Sequence, residues 1–325
     1  MKRNRPARLD KNLALAAEAS KVLLNAAALL RQCLPTEQAH ALSPAQLRRR
    51  PATRPGVTAA RRLNRAAGIL AFSVLADSAV EHYRGSFHNR AMYTPLGVSL
   101  LSLALSGYGL ADRRESTHLV RDLGYGAAIL TGLAGTAFHV YNVGKRPGRF
   151  SWENLFYSAP LGAPSAMLLS GIVGFMAERV RRTPPRRVSR FLGLPVGRLT
   201  AALTALGLLG TSAEAALLHF RGAYHDPFMY IPITLAPVAA AAMGEVAVGE
   251  SKRNRALSRW CLRLTAAMGA VGVGFHAIGI HRNMGGWKNW RQNVLNGPPL
   301  PAPPSFLGLA LAGLAALELL ETRPE

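Results

Sequence analysis

Residues 124–138, GYGAAILTGLAGTAF, form the centre of a longer run, 123–143, that contains no Asp, Glu, Lys or Arg. A helix of about 20 residues crosses the hydrocarbon core of a bilayer, which is about 30 Å thick. The glycines and alanines of this run are typical of membrane helices that approach one another closely. The run therefore predicts a transmembrane helix.

Similar apolar runs lie on both sides of this one. Of the 325 residues, 49% are hydrophobic and only 17% are charged, which excludes a soluble globular enzyme. The runs are too long and uniform for the strands of a membrane barrel, so we expect helices, in which every backbone group is satisfied internally. The predicted spans are at about 66–83, 93–111, 123–143, 155–177, 199–219, 229–249, 262–281 and 304–321.

The basic residues predict the orientation of these spans. The N-terminal 65 residues, three alternate loops and the C-terminal tail together carry 30 of the 39 Lys and Arg residues, against 9 in the other four loops. By the positive-inside rule, both termini lie in the cytoplasm of a multi-pass protein in a bacterial-type inner (plasma) membrane. The loops expected to face outward are 84–92, 144–154, 220–228 and 282–303.

Two further features limit the function classes. Cys33 and Cys261 are far apart and form no CxxC or CxxCH motif, which excludes a disulfide scaffold, an iron–sulfur protein and covalent c-type haem. Residues 11–34 predict a cytoplasmic or interfacial amphipathic helix, followed by a basic Pro/Arg segment. We expect these basic residues to contact the headgroups of the lipid bilayer, and no nucleic-acid partner.

The most informative feature is an internal repeat. The sequence ADSAVEHYRGSFHNRAMYTP at 76–95 aligns without gaps with AEAALLHFRGAYHDPFMYIP at 213–232, an offset of 137 residues. Identical residues include two histidines, an arginine, a glycine and a tyrosine in each copy. Later pairs continue the alignment: GTAFH (135–139) with GVGFH (272–276), and, after two inserted residues, PLGAP (160–164) with PLPAP (299–303).

This repeat predicts an all-α polytopic membrane protein of two parallel four-helix repeats. An even number of spans separates the copies, so both have the same direction across the membrane and the symmetry axis lies along the membrane normal. The predicted domains are a basic cytoplasmic tail (1–62), a first repeat (63–182), an Arg/Pro-rich cytoplasmic linker (183–198) and a second repeat (199–325).

The polar residues kept in both copies collect near the predicted outer ends of the spans. Ionisable side chains are costly inside a membrane, so they are candidates for function. Each half contributes three histidines, one carboxylate, one arginine and one tyrosine. The two sets are His82, His88, His139, Asp77, Arg84 and Tyr93, and His219, His225, His276, Glu214, Arg221 and Tyr230.

Two kinds of cofactor fit these residue types. In the first, His82 with His139, and His219 with His276, are axial ligands of haem b, and Arg84 and Arg221 neutralise its propionates. In the second, the three histidines of each half bind one Cu, Fe or Zn ion, and the carboxylate is a ligand or contacts one. A structural alternative is that these histidines cap backbone carbonyls and the carboxylates pair with the arginines.

The function expected from the haem hypothesis is an inner-membrane redox subunit. It would pass electrons between an external redox protein and the quinone pool. The alternatives are a metal-dependent membrane enzyme that acts on a lipid or small molecule, and a proton-coupled transporter with its substrate between the two halves.

Overall fold

The computed structural model describes residues 55–322, except 116–117, 158–159, 185–186 and 250–251. These residues belong to one compact unit, Thr53–Glu325. The amphipathic helix predicted for residues 11–34, and most of the predicted tail, lie outside the described residues.

The described chain is almost entirely helical. The first half contains α1 (Pro55–Arg84), α2 (Thr94–Ala111), α3 (Leu119–Gly144), α4 (Trp152–Tyr157) and α5 (Gly162–Arg182). A two-residue antiparallel hairpin follows, β1 (Arg190–Phe191) and β2 (Leu194–Pro195). The second half contains α6 (Val196–Arg221), α7 (Ile231–Val248), α8 (Lys252–Arg282), α9 (Trp290–Asn296) and α10 (Ala302–Thr322). Short 3₁₀ turns occur at Arg90–Tyr93, Pro227–Tyr230 and Gly286–Asn289.

Seven of the described helices are long and apolar enough to cross a membrane: α1, α2, α3, α6, α7, α8 and α10. This agrees with the predicted all-α multi-pass membrane protein. The predicted span at 155–177 is the exception, because the helix in this region, α5, starts at Gly162 and its last turns contain Glu178, Arg179, Arg181 and Arg182. The number eight therefore stays a prediction.

Helix α1 begins earlier than the sequence analysis expected. It starts at Pro55, inside the segment predicted as a basic linker, and proline is favoured in the first turn of a helix. Ala60, Leu63 and Ala67 follow at helical spacing and are completely buried. They pack against α5 and α10, while Arg61 donates to the Leu110 carbonyl of α2 and Arg62 pairs with Glu318 of α10.

The bundle is held together by close contacts between helices. Helix α1 packs against α2, α5 and α10, and α10 also packs against α6 and α8. Gly132 of α3 lies directly against the backbone of Leu168, and a Cβ atom on Gly269 of α8 would lie 2.7 Å from the backbone nitrogen of Leu307. In both halves, a glycine thus allows the third long helix to touch the last one.

Candidate functional site at the motif end

Residues 76–95 and 213–232, the two motifs, form the same local structure at one end of the bundle, here named the motif end. The preceding helix ends at Arg84 in one and Arg221 in the other. The following 3₁₀ turn begins at Arg90 and Pro227. Each pair of residues differs by the offset of 137, so the sequence repeat corresponds to a repeated backbone conformation.

Each motif turn contains two consecutive non-glycine residues in the left-handed region. The φ angles are 59° and 45° at Ser86 and Phe87, and 56° and 47° at Ala223 and Tyr224. This conformation costs a non-glycine residue roughly 1–2 kcal/mol. In each turn, the ring of the second of these residues stacks on a later tyrosine. The ring centroids of Phe87 and Tyr93 are 4.4 Å apart.

His82 and His219 clamp these turns. The Nδ1 atom of His82 lies 2.6 Å from the carbonyl oxygen of Met92, and that of His219 lies 2.7 Å from the carbonyl oxygen of Met229. Because a carbonyl oxygen only accepts, the Nδ1–H group donates in both cases. The lone pair of each neutral imidazole is therefore on Nε2.

His139 and His276 make the same kind of bond between different segments. The Nδ1–H of His139 donates to the carbonyl oxygen of Pro160, and that of His276 donates to Pro299 over 2.6 Å. These bonds connect α3 to the segment before α5, and α8 to the segment before α10. They also leave Nε2 as the acceptor atom in each ring.

His88 and His225 are exposed and bond locally. Their Nδ1 atoms lie 3.1 Å and 2.9 Å from the carbonyl oxygens of Gly85 and Gly222. These carbonyls are at the ends of α1 and α6, where helix carbonyls need partners from outside the helix. Both histidines therefore cap helices, as the structural alternative expected.

In each half, the charge of one predicted ligand is felt by the other. His82 is within electrostatic reach of His139, and His276 is within electrostatic reach of His219. In the part of the chain that the structure describes, no group of three or more His, Cys, Asp or Glu side chains is placed to hold a metal ion. His82 and His219 are likewise within electrostatic reach of His88 and His225, so in each half one imidazole lies near both other histidines.

The two intramembrane carboxylates have different surroundings. The Glu214 carboxylate accepts a hydrogen bond from the backbone N–H of Gly162, at the N-terminal end of α5, where the helix dipole favours a negative charge. In the second half, proline occupies the corresponding position, Pro301, and has no N–H to donate. Asp77 instead lies within electrostatic reach of both Glu81 and Glu214.

Arg84, which the structural alternative pairs with Asp77, lies within electrostatic reach of that carboxylate and forms an ion pair with Glu81. The Arg84 guanidinium lies 2.9 Å from the Glu81 carboxylate and also donates to the carbonyl oxygen of Leu295. Glu81 has no acidic counterpart in the second motif, where Leu218 occupies its position, so the repeat did not indicate it. Trp152, Trp287 and Trp290 are exposed at this end, as expected for residues of an interfacial belt.

Sequence reasoning missed a buried ionic cluster at the opposite end, here named the charge end. It contains Asp112, Arg121, Glu178 and Arg181. The Arg121 side chain is completely buried and lies 3.0 Å from both the Glu178 and the Asp112 carboxylates. Arg181 donates to the carbonyl oxygens of Asp112 and Gly109, over 3.0 Å and 2.7 Å, and so caps the end of α2.

Two ionisable groups of the charge end lie between the predicted spans. Burial alone would raise the pKa of Asp112, but the backbone N–H of Arg114 and the Arg121 guanidinium outweigh it and lower that pKa below its ordinary value. Burial, and then the Arg121 charge, lower the pKa of His118. The His118 Nε2 atom lies 3.4 Å from the Tyr108 hydroxyl, which fits a neutral imidazole.

No protein-family model, curated protein or solved structure matches this chain. The functional assignment therefore depends on the residues and their geometry alone.

Proposed function

We propose that this chain is a bacterial-type inner-membrane protein with eight spans, arranged as two parallel four-helix repeats. The repeated turns, caps and glycine contacts at the 137-residue offset support this arrangement. The uneven distribution of Lys and Arg supports cytoplasmic termini and an outward-facing motif end.

We further propose that the motif end holds haem b, in the first half through His82 and His139 and in the second through His219 and His276. One observation carries this proposal. All four Nδ1–H groups donate to backbone carbonyls, which fixes each ring and leaves Nε2 free to ligate iron. Hydrogen bonding of the second ring nitrogen is the usual support of a ligating histidine.

The residues fit a group held by two histidines better than a metal ion held by three. In each half, two imidazoles on different helices donate through Nδ1 to the carbonyl of another segment, whereas the third histidine caps the end of its own helix. The predicted Cu, Fe or Zn enzyme would require His88 and His225 to leave their carbonyl partners. Arg84, which is paired with Glu81, and Arg221, at the end of α6, would supply positive charge for the propionates.

Haem b would supply a one-electron iron couple at the outer face of the membrane. The contribution of the chain is to orient the imidazoles, to supply positive charge and to surround the group with apolar helices. Such a subunit would pass electrons between an external redox protein and the quinone pool.

The test is a reduced-minus-oxidised spectrum of detergent-purified protein, with haem and metal contents measured separately. We expect a b-type haem band. His139→Ala should remove about half of the bound haem and His276→Ala the other half, because each half holds its own group. His88→Ala is the matched control and should retain all of it.

His82→Asn separates ligation from clamping. The asparagine amide can donate to the Met92 carbonyl from nearly the position of Nδ1, but it places no nitrogen where Nε2 was. If His82 is a ligand, this variant folds and loses haem. Purified protein without haem, or full haem retention in His82→Asn and His139→Ala, would contradict the assignment.

A further inference from the structure

The hairpin of β1 and β2, at the charge end, has an apolar tip. Leu192 and Gly193 form its two-residue turn, and both have positive φ angles, 51° and 79°. Asn-Gly is a favoured pair in such a turn, because both residues tolerate the left-handed region. This turn contains leucine instead, with its side chain 84% exposed, and Leu194 in β2 is exposed as well. The turn therefore keeps an apolar side chain at a strained and exposed position.

The hairpin lies beside the last turns of α5. The ring of Phe191 packs against that of Phe175, with the ring centroids 5.6 Å apart. Phe175 precedes the last residue of α5, Arg182, by seven residues, which is about 10 Å along the helix. Because Leu192 directly follows Phe191, the tip also lies near these turns instead of extending far beyond the end of the bundle.

Helix α3 shows that exposed apolar side chains reach this level of the bundle. The Asp122 carboxylate lies 3.2 Å from the guanidinium groups of Arg179 and Arg182, so the first turn of α3 lies beside the last turns of α5. Leu119, at the start of α3, is 71% exposed, and Leu123 is exposed as well. The apolar surface that faces lipid on α3 therefore continues to the level of the hairpin.

The charges around the hairpin favour anionic headgroups. Seven arginines and no Asp or Glu occur in residues 179–198. Arg190 is exposed, and its guanidinium donates to the Gly193 carbonyl over 2.8 Å, which holds a positive charge beside the tip. Exposed apolar side chains with basic residues beside them are typical of segments that insert at the headgroup–acyl boundary of anionic membranes.

We propose that the hairpin binds anionic phospholipid, with Leu192 and Leu194 inserted at the headgroup–acyl boundary and the Arg190 guanidinium against a lipid phosphate. The hairpin connects α5 to α6, so this contact attaches the connection between the two halves to the bilayer surface. The proposal does not depend on the haem assignment, since no residue of the motif end takes part in it.

The test places a nitroxide label on the hairpin of the full chain in nanodiscs of phosphatidylcholine and phosphatidylglycerol. Cys33→Ser and Cys261→Ala remove the natural thiols, and Leu194→Cys carries the label. Its surroundings are measured by collision with oxygen, which concentrates in the bilayer, and with a neutral nickel chelate, which stays in water. We expect the label to collide mainly with oxygen. Labels at Leu123→Cys and Pro184→Cys are the references for lipid and for water.

Leu192→Asn tests the apolar tip. Asparagine adopts the left-handed conformation more readily than leucine does, so the hairpin keeps its turn while its tip becomes polar. We expect the water-exposed population of the label to rise about tenfold, because withdrawing a side chain of this size from apolar surroundings changes an equilibrium by at least that factor. Leu192→Met stays apolar, and this matched control should leave the label in lipid.

Arg190→Gln tests the headgroup contact. We expect the water-exposed population of the label to rise about fivefold in this variant and to stay low in Arg190→Lys, which keeps the charge. In nanodiscs of phosphatidylcholine alone, Arg190→Gln should have no effect. Monodisperse size-exclusion profiles establish that each variant is folded.

Two results would overturn the proposal. In the first, the label on the otherwise unmodified hairpin collides with the nickel chelate as often as the label at Pro184→Cys, which means that the tip faces water or a soluble partner. In the second, the label lies in lipid but neither Arg190→Gln nor the removal of phosphatidylglycerol changes its exposure, which means that the hairpin binds no anionic headgroup.

Discussion

The two halves of the molecule are alike at the motif end and different in their interiors. At the motif end, the histidine clamps of the two halves agree within 0.1 Å, 2.6 Å for His82 and 2.7 Å for His219. The stacked aromatic pairs also agree, with centroid distances of 4.4 Å for Phe87 and Tyr93 and 4.6 Å for Tyr224 and Tyr230. The same backbone and side-chain geometry thus occurs twice.

The interiors of the two halves differ in polarity. Several buried polar residues of the first half have apolar counterparts in the second half. These counterparts all belong to the largest apolar core of the molecule. At the offset of 137 the pairs are Asn64 with Ala201, Ser102 with Ala239, Ser106 with Met243 and Tyr125 with Leu262; at 139 they are Ser170 with Leu309 and Glu178 with Leu317.

The second half shows that the four-helix unit does not need buried polar residues at these positions. The second half packs the same helices with Ala, Leu and Met. Close packing and interhelical hydrogen bonds both hold membrane helices together, and ionisable groups buried among them are costly. The geometry of the motif end is shared by both halves, whereas the buried ionic cluster belongs to the first half only.

The largest expected effect concerns the direction of the two halves. Reporter fusions in the 84–92 and 220–228 loops should both read as external, and fusions at 112–121 and 183–197 as cytoplasmic. The physical reason is that four spans separate the two motifs, so the chain returns to the same side. Opposite readings from the two motif loops would mean an inverted repeat and would contradict the parallel arrangement of the two halves.

The next effect tests whether the ionic cluster of the first half depends on its balance of charge. Glu178→Leu installs the second-half residue but leaves Arg121 and Arg181 buried with Asp112 alone. Removing one partner of a buried ion pair costs about 3–5 kcal/mol. We expect a loss of this size in the free energy of unfolding, measured by denaturing-detergent titration in micelles.

The compensated variant sharpens this test. Arg121→Ser with Glu178→Leu removes one positive and one negative charge, and Ser258 is the natural counterpart of Arg121. We expect part of the lost stability to return, since the remaining buried charges, Arg181 and Asp112, then balance. A double variant as unstable as Glu178→Leu alone would show that these interiors are not interchangeable.

Much of the fold was predictable because hydropathy alone identifies long apolar helices. The early start of α1 was missed because Arg61, Arg62 and Arg65 were interpreted as linker charges. The apolar residues between them, such as Ala60 and Leu63, already followed helical spacing. Charge counting cannot distinguish an arginine at a lipid surface from one that bonds to a neighbouring helix, as Arg61 and Arg62 do.

The candidate site was predicted in its residues but not in its contacts. The repeat identified His82, His139 and their counterparts, yet their partners are backbone carbonyls, which no side-chain pattern encodes. Arg121 and Arg181 were counted as topology signals, although both are buried. The spacing of Glu178 and Arg181, three residues apart on α5, was the available signal of an internal ion pair.

The smallest expected effect is a pH dependence that belongs to the first half alone. His118 lies beside Asp112 and Arg121, whereas the second half has Arg255 at this position. The pKa of His118 is lower in the folded chain than its ordinary value of 6.5, so the unfolded chain binds the proton more readily. Stability therefore falls as the pH drops through 6.5 toward the folded pKa. The pKa of Asp112 is also lowered, so its contribution to stability is lost only at more acidic pH, below its ordinary value of 3.8.

We expect His118→Gln, which keeps a hydrogen-bonding group beside Tyr108 but does not titrate, to lose less thermal stability than the unmodified chain between about pH 7.5 and pH 5. The measurement is the unfolding temperature of both proteins in one detergent. If the unfolding temperatures of the two proteins fall in parallel as the pH drops, His118 does not contribute to acid sensitivity. The difference between the halves at this position then has no energetic consequence.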